Sequence, residues 1–154
     1  MLGWRGNFRG YNTGIKVKTD MIEWHSKYEL GIEDIDFQHH FFLNLINRLA
    51  NELRQSDNLE RQNALISELS AYARFHFISE ENIMFAAGYP DFIEHKNLHF
   101  ELLDQLSSRT NRLAIQKSDT AGVDIIDFLI DWFLHHTSTI DRVFADWMRK
   151  EQEA

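Results

Sequence analysis

The sequence predicts an all-α fold, an up-down-up-down four-helix bundle preceded by an extended N-terminal arm. Three observations predict it. Apolar residues recur at three- and four-residue spacing over 33–55, 59–87, about 90–116 and 123–149, the period of a helix with one buried face. Short turn-forming segments separate these stretches, and short connections make consecutive helices antiparallel. Five histidines and a glutamate lie on the apolar stripes of all four stretches, as if converging on one point inside a bundle.

The totals agree with a single domain. A chain of 154 residues can bury a proper core. It has no cysteine, which excludes disulfides, zinc-thiolate sites and iron–sulfur clusters and suits a reducing compartment. The formal net charge is -8, which argues against a nucleic-acid partner. No apolar run reaches the length of a membrane span. No secretory h-region is visible, so the expected location is cytoplasmic.

Charge divides the chain in two. Residues 1–20 hold four Lys/Arg, one acid and four of the seven glycines, whereas residues 21–154 hold twelve Lys/Arg and 23 acids. Trp4, Phe8, Tyr11 and Ile15 stand at helical spacing with Arg5, Arg9 and Lys16 between them, a pattern that could dock a membrane or partner as a basic amphipathic helix. Gly3, Gly6, Gly10 and Gly14 oppose that, each costing a helix interior about 1 kcal/mol. The preferred reading is a basic, Gly-rich mobile tail, with Met21 an alternative start. The domain proper is then 21–154.

Residues 21–31, ending at Gly31, read as an arm that packs Trp24 and Tyr28 on the bundle. Helix one spans 33–55, with Ile35, His39, Phe42, Ile46, Leu49 and Leu53 along one stripe. Gln55-Ser56-Asp57-Asn58 is a turn carrying N-cap candidates for the next helix. Helix two, from about 59 to 87, puts Leu65, Leu69, Tyr72, His76, Glu80 and Ile83 on its stripe. Ala87-Gly88-Tyr89-Pro90 stops one helix and restarts another, because Gly suits the position past a helix end and Pro the first turn of the next. Helix three starts at Pro90 or Asp91 and carries Phe92, His95, His99, Leu102 and Leu106 inward. Residues 118–122 form the third loop. Helix four, 123–149, turns Ile125, Leu129, Trp132, His136 and Ile140 inward.

A single histidine on an apolar stripe is ordinarily a core residue satisfied by one hydrogen bond. His39, His76, His95, His99 and His136 lie on the stripes of four different helices, and Glu80 joins them. A buried carboxylate without a cation is costly, so a metal site explains the set better. His76 and Glu80 are four apart, as are His95 and His99, and residues four apart share a helix face. Five imidazoles and one or two carboxylates exceed a tetrahedral zinc site and are enough for two metals. N/O donors suit iron, manganese or zinc at higher coordination. Asp141 is a candidate second bridge, but five residues after His136 it stands about 140° round an ideal helix. A local bulge or a sideways reach would be needed.

The motifs resemble those of the bacterial hemerythrins over residues 21–149. The matching segments are M-I-E-W near the start, G-I-E-D-I-D-F-Q-H at 31–39, H-F-I-S-E-E-N-I-M at 76–84, G-Y-P-D-F-I-E-H-K-N-L-H at 88–99 and W-F-L-H-H-T-S-T-I-D at 132–141. The resemblance implies one non-haem iron on His95, His99 and His136 and a second on His39 and His76. Glu80, Asp141 and an oxo or hydroxo group would bridge them. It also selects His39 over His40 and His136 over His135, leaving His25, His40 and His135 as surface residues. In the pattern so implied, the first iron is six-coordinate and the second five-coordinate, and dioxygen would take the open position on the His39/His76 iron.

Phe42, Phe77, Leu103, Trp132 and Phe133 are candidates for the apolar wall of an oxygen pocket, although core packing alone would place such residues there. Phe133 departs from the resemblance, which has Leu after this Trp; the larger ring would narrow oxygen access or slow autoxidation. The function implied is reversible dioxygen binding for storage, delivery or buffering, by a monomer that is not an enzyme. The alternatives are an oxygen or redox sensor read by an unknown protein partner, a di-iron redox enzyme handling peroxide or nitric oxide, and a bundle that stores iron or keeps a vestigial site.

Overall fold

The computed structural model describes residues 21–116 and 121–154; the 1–20 tail and the 118–120 part of the third loop lie outside the described residues. The arm is extended and carries one 3-10 turn, Ser26–Tyr28. Then follow α1 (Glu33–Gln55), α2 (Leu59–Ala87), α3 (Phe92–Gln116), α4 (Ala121–His135), a π-helical turn (His136–Ile140) and α5 (Asp141–Glu153). α4, the π turn and α5 continue one another, so the bundle has four rods. α1 packs on α2 and α4, and α3 packs on α2 and α4, which closes the ring of an antiparallel bundle. None of the described helices is long and apolar enough to cross a membrane.

Helix ends follow local chemistry. The Asn58 side chain accepts from the Arg61 amide at 3.0 Å and caps α2. At the other end Gly88 adopts φ +70°. Its amide bonds Phe85 O, and that of Tyr89 bonds Met84 O, the two bonds of a Schellman motif. α3 starts at Phe92, slightly later than expected, because Pro90 and Asp91 still belong to the turn. Gly31, at φ +83°, leads into α1, and the Asp36 carboxylate accepts the amides of Leu30 and Gly31 at 2.7 and 2.9 Å.

The fourth rod departs from expectation at three places. It begins at Ala121, so Gly122 lies inside α4 and not in a loop. A Cβ there would meet Leu53 Cδ2 at 2.8 Å; glycine lets α4 approach α1 closely. The rod extends to Glu153, and the π turn interrupts it.

The arm is fastened to α1 through Asn47, whose side chain accepts from Ile22 N at 2.9 Å and donates to Ile22 O at 2.8 Å. Tyr28 is buried and meets the ring of Phe133. Trp24 is half-buried and stacks on the exposed His40 at 3.8 Å. Arg142 donates to Lys27 O at 2.6 Å, tying the arm to the start of α5. The arm therefore packs as expected.

The core has two apolar clusters. The larger contains Phe42, Ile46, Leu69, Phe77, Leu106, Leu129 and Phe133. The smaller contains Leu30, Ile35, Met84, Tyr89 and Phe144. Ligands fall between them on three rods, with His39 between Ile35 and Phe42, Glu80 between Phe77 and Met84, and His136 and Asp141 between Phe133 and Phe144, while His76 lies at the edge of the larger cluster beside Ala73 and Phe77. On α3, His95 and His99 follow Phe92 and precede Leu106. A polar layer is thus enclosed between two dry ones.

Candidate metal centre

All seven expected side chains meet in that layer. His39, His76, Glu80, His95, His99, His136 and Asp141 are each at most 5% exposed. Their donor atoms form two overlapping groups, Glu80/His95/His99/His136/Asp141 and His39/His76/Glu80/Asp141. The carboxylates belong to both. Glu80 Oε1 stands 2.9 Å from His95 Nε2 and 3.7 Å from His99 Nε2, while its Oε2 stands 3.3 Å from His76 Nε2 and 4.0 Å from His39 Nε2. Asp141 Oδ1 lies 2.9 Å from His136 Nε2 and 3.2 Å from His95 Nε2, and its Oδ2 lies 3.4 Å from His39 Nε2. Each carboxylate points one oxygen at each group.

The π turn puts Asp141 there. Its amide bonds the His136 carbonyl, an i to i+5 bond, and the extra residue in that turn returns position 141 to the face of position 136. The bulge that the i+5 spacing calls for is present. The His135 carbonyl, inside the altered bonding pattern, accepts from the Thr139 hydroxyl.

Two imidazoles are oriented from behind. His76 Nδ1–H donates to Gln38 Oε1 at 2.9 Å, and Gln38 Nε2 donates to Ser79 Oγ at 2.8 Å. His99 Nδ1–H donates to Glu81 Oε1 at 3.0 Å. A proton on Nδ1 leaves Nε2 of the neutral ring as a lone pair, and in both rings Nε2 faces the centre. Sequence reasoning missed Gln38 and Glu81. The available signal was adjacency: each neighbours a ligand in the chain, one residue and so about 100° round the helix, which turns it toward the next helix.

The donor set fits a cation. His39 and His76 bring Nε2 atoms to 3.1 Å, as do His95 and His99, and His99 and His136. Apart from these imidazole contacts, both oxygens of Glu80 and of Asp141 are buried without a hydrogen-bond partner among the described residues. Lone pairs facing lone pairs in a dry layer are costly unless positive charge stands between them. The electrostatics agree. Burial and Asp141 would raise the Glu80 carboxyl, but contacts with His76 and His95 hold it down to about 2. Burial would also raise Asp141, yet His136, with His39 and His95, holds it well below the carboxylate range. Burial would lower His95, but the Asp141 and Glu80 carboxylates pull it up to about 9. Burial pushes His99 down to about 3 and lowers His76 as well.

The five wall candidates take different places. Phe133 stands edge-on to His39, ring centres 5.8 Å apart, and Phe42 lies 5.9 Å behind it. Phe77 stacks on His99 at 4.0 Å, and Trp132 lies over His136 at 6.1 Å. Leu103 is half-buried and lines an apolar crevice with Phe77, Leu106 and Trp132. His25, His40 and His135 are exposed and outside the centre.

Comparison with known proteins agrees with this geometry. Residues 30–148 match the hemerythrin HHE cation binding domain. The chain is 29% identical over 130 residues to a bacteriohemerythrin of Clostridium acetobutylicum, covering 82% of this chain and 100% of that protein. It is 26% identical over 129 residues to one from Stenotrophomonas maltophilia, covering 84% and 82% respectively. It is 29% identical over 128 residues to one from Pseudomonas aeruginosa, covering 83% and 82%.

Proposed function

The chain belongs to the hemerythrin family, and from that premise we propose that it binds dioxygen reversibly at two non-haem iron ions, for storage, delivery or buffering of oxygen. His95, His99 and His136 would hold one ion and His39 and His76 the other. Glu80 and Asp141 would be shared, with an oxo or hydroxo group as third bridge. The observation that carries the reading is the unequal donor count, three imidazoles against two around the same carboxylates. A metal held by His39 and His76 would have one protein donor fewer than its neighbour, which would leave it free to take an outside ligand such as dioxygen. When bound, iron supplies the electrons that hold oxygen and takes them back on release.

The chain's own residues support binding over turnover. Imidazoles outnumber carboxylates, and neutral donors stabilise the higher charge of oxidised iron less than anions do, which favours the reduced state. Hydrogen bonds from Nδ1 to Gln38 and Glu81 fix His76 and His99. Phe133 covers His39, and Tyr28 from the arm packs against Phe133, keeping the two-imidazole half dry.

The deciding measurement is the visible spectrum of iron-loaded, anaerobically reduced protein before air, after air and after argon. A band that appears with air and leaves with argon, at two irons per chain, is the expected result. A spectrum that moves directly to the oxidised form and stays there points to redox sensing or enzymatic chemistry. Failure to take up iron removes the centre itself.

A further inference from the structure

The two halves of the centre are backed by groups of different charge. Behind the three-imidazole half, His99 Nδ1–H donates to the Glu81 carboxylate at 3.0 Å. Glu81 is mostly buried, its side chain 14% exposed, and its other oxygen stands 3.8 Å from Lys96 Nζ. Behind the two-imidazole half, His76 Nδ1–H donates at 2.9 Å to the neutral Gln38 amide, itself held by Ser79. His39 Nδ1 has no hydrogen-bond partner among the described residues. A carboxylate accepting from Nδ1–H makes a stronger, charge-assisted bond than an amide and makes the ring a better donor at Nε2. A metal that loses an electron gains a unit of positive charge, and in a buried site that charge is sensitive to a nearby anion.

We propose that Glu81 and Gln38 are positioning residues that make the two metal positions electronically unequal. Acting through His99, Glu81 lowers the reduction potential of the His95/His99/His136 position, so that this position is oxidised first. Acting through His76, Gln38 withholds that help from the His39/His76 position, which keeps its electron until the second oxidation. The proposal rests on the di-iron reading above. One electron would leave each position, from Fe2+ to Fe3+, with dioxygen or, in titration, an added mediator as the acceptor, and with no covalent bond made or broken in the chain. The half with fewer protein donors is thereby the half that the chain keeps reduced.

The test is an anaerobic redox titration of the iron-loaded full chain with mediators, alongside iron analysis and far-UV circular dichroism. Glu81→Gln keeps an acceptor oxygen and removes the charge. The expected result is two irons per chain, a first midpoint raised by about 59 mV or more, which is a tenfold change for one electron, and a smaller gap between the midpoints. Gln38→Glu adds charge to the other half and should lower the second midpoint, again narrowing the gap. If Glu81→Gln loses iron, the Gln38→Glu midpoint decides. Loaded variants with unchanged midpoints, or shifts opposite to these, overturn the proposal. A wild-type chain that binds no iron overturns this proposal and the di-iron reading together. A chain that binds iron without releasing oxygen overturns only the oxygen reading, because the midpoints still report on Glu81 and Gln38.

Discussion

Asp141 Oδ1 lies 2.9 Å from His136 Nε2, although five residues separate them and an α-helix would point them about 140° apart. The π turn His136–Ile140 removes that difference. It also lets Asp141 reach His39 with its second oxygen, at 3.4 Å. A carboxylate so placed serves both halves of the centre, which gives the first prediction.

Asp141→Asn and Glu80→Gln should each lose both irons, because each removes a donor from both groups. His39→Ala should lose the iron of its own half and retain the other. Iron analysis after desalting separates these outcomes, and helix content by circular dichroism should stay near wild type in all three. Retention of one iron by Asp141→Asn would contradict the shared role.

The metal-free protein should be most stable near pH 6.5. His95 is raised to about 9, so its contribution is complete below 6.5 and is lost as pH rises toward 9. His99, lowered to about 3, and His76, also lowered, act in the opposite direction. The unfolded chain protonates them below 6.5, so stability falls with pH there. Glu80, held to about 2, and Asp141 contribute above the ordinary carboxylate range and lose it as pH falls through that range. Urea midpoints from pH 5 to 9 measure the curve. Stability that climbs steadily through pH 9 would contradict the carboxylate cage around His95. Metal loading at neutral pH should also release protons, since His95 must give its own up to bind.

Phe133→Leu should speed oxygen release and autoxidation, because Phe133 stands edge-on to His39 and is 1% exposed. The smaller side chain opens space beside the two-imidazole half, at a stability cost of about 1–2 kcal/mol. Stopped-flow release and the decay of the oxygenated spectrum measure both rates. Unchanged rates would assign Phe133 to packing alone.

Asn47→Ala should free the arm. Two hydrogen bonds to Ile22 are lost, worth about 2 kcal/mol together at about 1 kcal/mol each. Amide exchange at Ile22 to Leu30 should quicken while that of α2 and α3 stays slow. Equal protection of the arm in both proteins would show that Tyr28 and Trp24 hold it without Asn47.

The helices and the ligand set were legible because both depend on short-range regularity. The 3.6-residue period gave α1 and α2 their observed bounds, and it put His39, His76, Glu80, His95, His99 and His136 on inward faces, where all six are found. Helix caps were legible for the same reason, as at Asn58 and Gly88. Asp141 needed more: its spacing called for a bulge, and the motif resemblance pointed to it, but periodicity alone placed it at the edge of the stripe.

Only the tertiary structure decided the rest. Gly122 read as loop but lies inside α4, where a Cβ would press on the Leu53 side chain of α1. Gln38 and Glu81 carried no reading from the sequence, and their roles follow from α2 and α3 bringing His76 and His99 within hydrogen-bond distance. Asn47 was not singled out by the sequence, and the arm folding back makes it a clamp. The physical reason is the same in each case. A helical period fixes which residues share a face of one helix, whereas the depth, register and closeness of neighbouring helices follow from packing between segments far apart in the chain.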